Sequence, residues 1–187
     1  MTGLLDSSAP DEQTRYQVRF DVGIDGARRI GASAHLFVWC DGLATEPVPT
    51  DALPPHLEVI DARCGAASAI AQRLLELQAA RGERTMVAVV AAGSPVQAPE
   101  GIPVEDHLLA GAVIDALGAV GIDATSPEAA VAAAGYQGLR GAVAHMLSAS
   151  LGGRTLAAAE GTEALSAARV RWESTELVVL REFDLTA

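Results

Sequence analysis

The chain has 187 residues, half of them hydrophobic, and a formal net charge of -11. Its 13 basic residues are all arginines, and the absence of lysine excludes a P-loop lysine, a Schiff-base lysine and a polybasic patch. Aromatic residues make up only 4% and the arginines are scattered, so a nucleic-acid surface would have to form against an unfavourable field and no such partner is expected.

Residues 1–14 are polar and acidic and read as a disordered lead-in, not as a secretory signal. The remaining 15–187 fit a single α/β domain. No apolar run approaches the roughly 18 residues that a spanning helix needs, so no membrane partner is expected and residence is read as cytoplasmic. Tyr16, Val18, Phe20 and Val22 alternate with polar residues, the period of a half-buried strand. A turn at 23–29 leads into a short helix around Gly26 to Ile30. Residues 35–40 form a continuous apolar run that suits a strand buried on both faces, and it ends at Asp41-Gly42. Open α/β sheets place their sites at such carboxyl ends. Four prolines (Pro47, Pro49, Pro54, Pro55) make 44–56 a loop, and 57–61 a short strand follows it. The spacing predicts a helix over 66–80, stopped by Gly82, and a central strand within 85–93. A proline-containing loop, 94–103, precedes a helix whose first turn carries Glu105 and Asp106. Ser126-Pro127-Glu128 signals another helix start, with the helix running to about Ala134. Further helices are predicted over 139–150, ending at Gly152-Gly153, over 155–160 and over 163–171, and the strand 176–183 closes the chain. Strands separated by helices predict a layered α/β/α fold with a mixed, largely parallel sheet.

Two cysteines, Cys40 and Cys64, and four dispersed histidines (His35, His56, His107, His145) offer no zinc spacing, and packed thiols are expected. Asp41, Glu105 and Asp106 are the candidate chemistry. Carboxylates gathered at strand ends suit a hard cation such as Mg²⁺, which takes one or two protein carboxylates and leaves its other positions to water and substrate phosphate. The plainer reading is an acidic first turn beside a turn-forming aspartate. His107 follows Asp106 but faces elsewhere on the helix, which favours a non-catalytic role. Arg154 could meet an anionic substrate or be a surface arginine, and Gly93 and Gly111 could permit close backbone approach.

The run from Val87 to Gly93, the later Glu105-Asp106 and the Ala110-Gly111-Ala112 helix are similar to the 2-phosphosulfolactate phosphatase family. These are Mg²⁺-dependent phosphatases first associated with coenzyme M biosynthesis. Ser126-Pro127-Glu128-Ala129, Gly153-Arg154-x-Leu156 and the Val178-Val179-Leu180 strand fall in the family's order. Upstream, Val18 to Ala27 and Asp41-Gly42-Leu43 resemble its first strand, its Gly-x-x-Gly-Ala turn and its Asp-Val-Leu. The resemblance covers roughly three quarters of the chain. It implies a phosphosulfolactate-phosphatase-like fold and a phosphatase acting on a small acidic phosphoester. Mg²⁺ would be held by Asp41, Glu105 and Asp106, with Asp41 and Asp106 catalytic and Arg154 and Gly93 binding substrate. The chain has no asparagine, so the family's Asn-Gly-Ser/Thr motif is missing, and its centre is shortened. These differences motivate the alternative, a catalytically degenerate member that serves as a binding or assembly module. The apolar content of a shortened sheet also points to a homodimer.

Overall fold

The computed structural model describes residues 13–93 and 102–184. Five strands form one mixed sheet: β1 (Val18–Val22), β2 (Leu36–Cys40), β3 (Glu58–Asp61), β4 (Val87–Ala91) and β5 (Val178–Arg181). Their order is β1-β4-β2-β3-β5, the first four parallel and β5 antiparallel to β3. The two central strands, Leu-Phe-Val-Trp-Cys and Val-Ala-Val-Val-Ala, are buried at every position, which is why neither shows the alternation of a one-sided sheet. Pairing runs Leu36 against Val87 through Cys40 against Ala91. The carboxyl ends of the four parallel strands therefore share one edge, and Asp41, Ala92 and Gly93 lie there.

Helices cover both faces. On one face α1 (Gly23–Gly31) packs Ala27 and Ile30 against Phe37, Trp39, Val59, Ala88 and Val90. On the other, α2 (Ala67–Arg81) and α3 (Val104–Ala119) bury Ile70, Leu74, Leu109 and Val113 against Val38, Ile60 and Val89. Gly82, at φ 69°, closes α2 in the left-handed conformation that only glycine adopts without cost. Then come α4 (Pro127–Leu139), α5 (Val143–Ala149), α6 (Leu151–Glu160) and α7 (Thr162–Glu173). Ser126 caps α4 by accepting the Ala129 amide at 3.2 Å. A side chain at Gly111 would run into the Ala132 carbonyl, so the glycine lets α3 and α4 pack in close contact. Among the described residues no helix is long and apolar enough to cross a membrane.

The sequence expectations differ from the structure at several ends. The expected lead-in falls mostly on residues outside those described, yet Gln13 and Thr14 are tied to β1. Gln13 bonds both the amide and the carbonyl of Phe20, and the Thr14 carbonyl accepts from Arg19. The loop expected over 94–103 lies largely outside the described residues. α4 runs five residues further than Ala134, through Gly135, because packing along α3 outweighs the modest helical penalty of glycine. Gly152 and Gly153 do not end a helix: they stand in the first turn of α6, where the Ser150 hydroxyl accepts the Gly153 amide at 2.9 Å. Ser150 is thus the punctuation that the glycine pair obscured.

Candidate active site

Asp41 directly follows β2, and its carboxylate folds back on the loop, Oδ1 accepting the Leu43 amide at 3.1 Å and Oδ2 the Glu46 amide at 2.6 Å. An aspartate that closes its own loop in this way is the local chemistry of an Asx turn. Asp106, in the first turn of α3, reaches across to two strand ends: Oδ1 accepts the Gly42 amide at 2.8 Å and Oδ2 the Gly93 amide at 2.9 Å. The approach is tight, since a Cβ on Gly42 would stand 2.9 Å from the Glu105 carbonyl. Gly93 itself has φ 71°, so glycine serves both the bend and the hydrogen bond.

Asp41, Glu105 and Asp106 are all buried. Burial, followed by the charges of Asp41 and Glu105, pushes the Asp106 carboxyl well above its ordinary range, and the two amides only partly counter this. Burial also raises Asp41, against the Glu46 and Leu43 amides and the Arg171 guanidinium. Arg171 of α7 donates to the Asp41 carbonyl at 2.8 Å and to Asp61 Oδ1 at 2.7 Å. Arg63 closes on the other Asp61 oxygen at 2.9 Å.

Glu105 turns away from Asp106 to the wall of a cavity of about 230 Å³ between the loop after β2 and α6. A Cβ on Gly152 would overlap Glu105 Oε1, so this glycine admits the carboxylate to the first turn of α6. Thr45, Glu46, Glu105, Asp106, Thr155 and Glu160 supply the polar lining; Leu43, Leu151, Leu156 and Ala159 supply apolar walls. The chain thus brings Glu105 and Asp106 to one cavity and keeps Asp41 behind the loop that forms one wall. Among the described residues no three Asp, Glu, His or Cys side chains converge as a metal-holding group. The oxygen chemistry nevertheless suits a hard cation in the usual Mg²⁺ manner, through one or two carboxylates with water completing the shell. Each amide-bonded carboxylate oxygen keeps a second lone pair.

Arg154 is exposed and outside this lining. The lining residues of α6, Leu151, Gly152, Thr155, Leu156, Ala159 and Glu160, span one side of the helix, and the 3.6-residue period puts Arg154 on the other. The Gly93 amide is taken by Asp106, and Gly93 lines a different cavity on the α1 face. His107 bonds the Pro103 carbonyl through Nδ1 and meets the Phe20 ring edge-on at 5.2 Å; burial lowers its pKa, in keeping with a packed neutral imidazole. Cys40 is buried and Cys64 half-buried, both thiols raised chiefly by burial, which leaves neither activated. Sequence reasoning missed Thr45, Glu46, Thr155 and Glu160. The Gly152-Gly153 pair was the available signal, since a helix starting on two glycines leaves room for a group from elsewhere. Arg171 had no local signal, its partners lying 130 and 110 residues away.

The fold and site define a mixed α/β protein with an acidic cavity at the carboxyl edge of its sheet. Comparison with protein-family models, with curated proteins and with solved structures finds no match for this chain.

Proposed function

We propose that the chain is a Mg²⁺-dependent phosphatase of the 2-phosphosulfolactate phosphatase kind, with the corresponding fold, hydrolysing a small acidic phosphoester in the cavity beside Glu105. The observation that carries this reading is the charge of the lining: Glu46, Glu105, Asp106 and Glu160 contribute carboxylates, and no arginine or histidine is among the lining residues. A phosphoester dianion entering alone would meet only like charge, and at a partly dry surface that repulsion is substantial. Entry with a divalent cation removes the conflict. Glu105 and Asp106 would hold Mg²⁺, which when bound supplies charge neutralisation for the phosphoryl oxygens and orients water.

The chain's own residues do the positioning on which phosphoryl transfer depends. Asp106 pins the Gly42 and Gly93 amides and so fixes the ends of β2 and β4 relative to α3. Asp41 and Arg171 hold the loop that carries Thr45 into the wall. The Thr45 and Thr155 hydroxyls can donate to an anionic oxygen, and Leu43 and Leu156 limit water around it.

Phosphate release from phosphosulfolactate and a panel of small phosphoesters, with and without Mg²⁺, tests the proposal. Release that needs Mg²⁺ and falls at least 100-fold in Glu105→Gln is the expected result. No release from any ester with Mg²⁺ present overturns it. A second reading, a degenerate member that binds a ligand or partner without turnover, is favoured by a specific observation. Both oxygens of Asp41 and of Asp106 already serve backbone amides, and Arg154 stands outside the cavity. Under that reading a calorimetric Mg²⁺ titration gives no saturable heat.

A further inference from the structure

The two strands β1 and β4 are neighbours, yet the helices that follow them lie on opposite faces: α1 packs with Phe37, Trp39 and Val90, whereas α3 packs with Val38 and Val89. In open α/β sheets a crevice opens at the carboxyl edge where such connections diverge, and small molecules bind there. A cavity of about 410 Å³ occupies this position on the α1 face, walled by Gly23, Ile24, Trp39, Pro47, Pro49 and Ala92, with Glu46 and Gly93 completing it. It is separate from the acidic cavity, which lies toward α6.

Two independent features of this cavity call for a hydrogen-bond acceptor. The first turn of the nine-residue α1 has no side-chain cap, so its leading amides carry their donors and the positive end of the helix dipole toward this edge. The Trp39 indole, only 4% exposed and part of the cavity wall, has a buried Nε1–H that meets no acceptor among the described residues. A buried donor left unmatched costs about 1–3 kcal/mol, and folded proteins leave few of them without a reason. The walls are otherwise flat and apolar: an indole, two proline rings and an isoleucine. Among the described lining residues Glu46 is the one charged side chain, so a second negative charge on the occupant would be repelled.

We infer that this crevice is a second ligand site, built for a small monocarboxylate with a flat apolar body, whose carboxylate accepts from Trp39 Nε1 and the start of α1. The inference does not depend on the phosphatase reading. Its test is run on the full chain without divalent cation, so the two fail separately. Sodium benzoate is titrated against the protein and followed by tryptophan emission and by calorimetry. The chain has two tryptophans, and Trp172 belongs to the core on the opposite face, so an emission change reports on Trp39. The expected result is a saturable emission change with matching heat. Calorimetry should show binding at least tenfold weaker in Trp39→Phe, which keeps an aromatic ring and removes the donor. Ile24→Trp, which fills the cavity from its wall and leaves Trp39 untouched, should weaken binding equally, and it stands in if Trp39→Phe fails to fold. No saturable signal from the native chain, or Trp39→Phe binding as tightly as the native chain, overturns the site. Benzamide binding as tightly as benzoate overturns the carboxylate assignment.

Discussion

Asp106 is the residue whose replacement most directly tests how the site is held. Its two carboxylate oxygens accept the Gly42 and Gly93 amides at 2.8 and 2.9 Å, so Asp106→Ala leaves both donors without that partner. Gly42 is buried and Gly93 half-buried, so the first amide loses nearly the whole value of its bond while the second recovers part from water. At about 1–3 kcal/mol for each buried unsatisfied donor, less the relief of a desolvated carboxylate beside Asp41, the expected net loss is about 2–4 kcal/mol. Asp106→Asn keeps one carbonyl acceptor and presents an NH₂ to the other amide, for an expected loss of about 1–2 kcal/mol. In a chain of this size the alanine variant should melt roughly 4–16 °C below the native protein. Urea denaturation and thermal melting measure both. The pH dependence supplies a sign. The carboxyl is pushed above its ordinary 3.8 in the folded state, so the folded chain binds more protons than the unfolded chain between that value and the raised one. The associated stability is fully present below 3.8 and lost as pH rises through the folded pKa. The native advantage over Asp106→Asn should therefore narrow with rising pH. An alanine variant as stable as the native chain, or an advantage that widens with pH, would refute the reasoning.

Two further outcomes are expected. His35 accepts the Met86 amide on Nδ1 at 2.9 Å, and burial, then Arg81, lowers its pKa from 6.5 to about 4. Its contribution to stability is thus present above 6.5 and lost as pH falls toward 4, and His35→Asn, which can retain an acceptor for Met86, should flatten the melting profile across that window. Asp41→Ala frees the Leu43 and Glu46 amides, and because Glu46 lines both cavities the change should weaken ligand binding in each, measured by Mg²⁺-dependent turnover and by benzoate calorimetry. Loss confined to one cavity would show that the loop does not couple them.

The sheet was legible because its strands carry a physical signature that survives without context. Residues 36–40 and 87–91 are short runs, apolar at every position and bounded by turn residues, which together suit a strand covered on both faces. The acid pair at the start of α3 was equally visible, but its division of labour was not. Adjacent helical residues point about 100° apart, which sends Asp106 to the strand ends and Glu105 to α6, and nothing in the sequence says which neighbour waits on each side. α6 was misjudged for a related reason. Gly152 and Gly153 read as a terminator from propensity alone, whereas the absent side chain at Gly152 answers to Glu105, a residue 47 positions earlier whose carboxylate needs the space. Arg154, which follows the glycine pair in a Gly-Arg-x-Leu run, was a candidate for an anionic substrate or a surface arginine, and helical phase, which propensity does not register, puts it on the far side of α6 from the cavity.

The carboxyl edge of the sheet divides by hydrogen-bonding character. Toward α6 the cavity offers carboxylate acceptors and two hydroxyls, with no basic side chain in its lining. Toward α1 it offers an indole donor and an uncapped helix start, with a single carboxylate at its wall. A ligand suited to one side is repelled by the other, since an anion favoured by α1 meets four carboxylates near α6. Glu46 and the loop behind it separate the two, and that loop is held at its root by Asp41, by Arg171 on the Asp41 carbonyl and by the reach of Asp106 to Gly42, and further along by Arg181 on the Thr50 and Pro54 carbonyls. The buried carboxyls thus bear a cost in desolvation that a simple turn would not require. Their return is a fixed partition between two chemically opposed cavities, which accounts for aspartates at positions where an apolar residue would satisfy the core but leave the loop amides without acceptors.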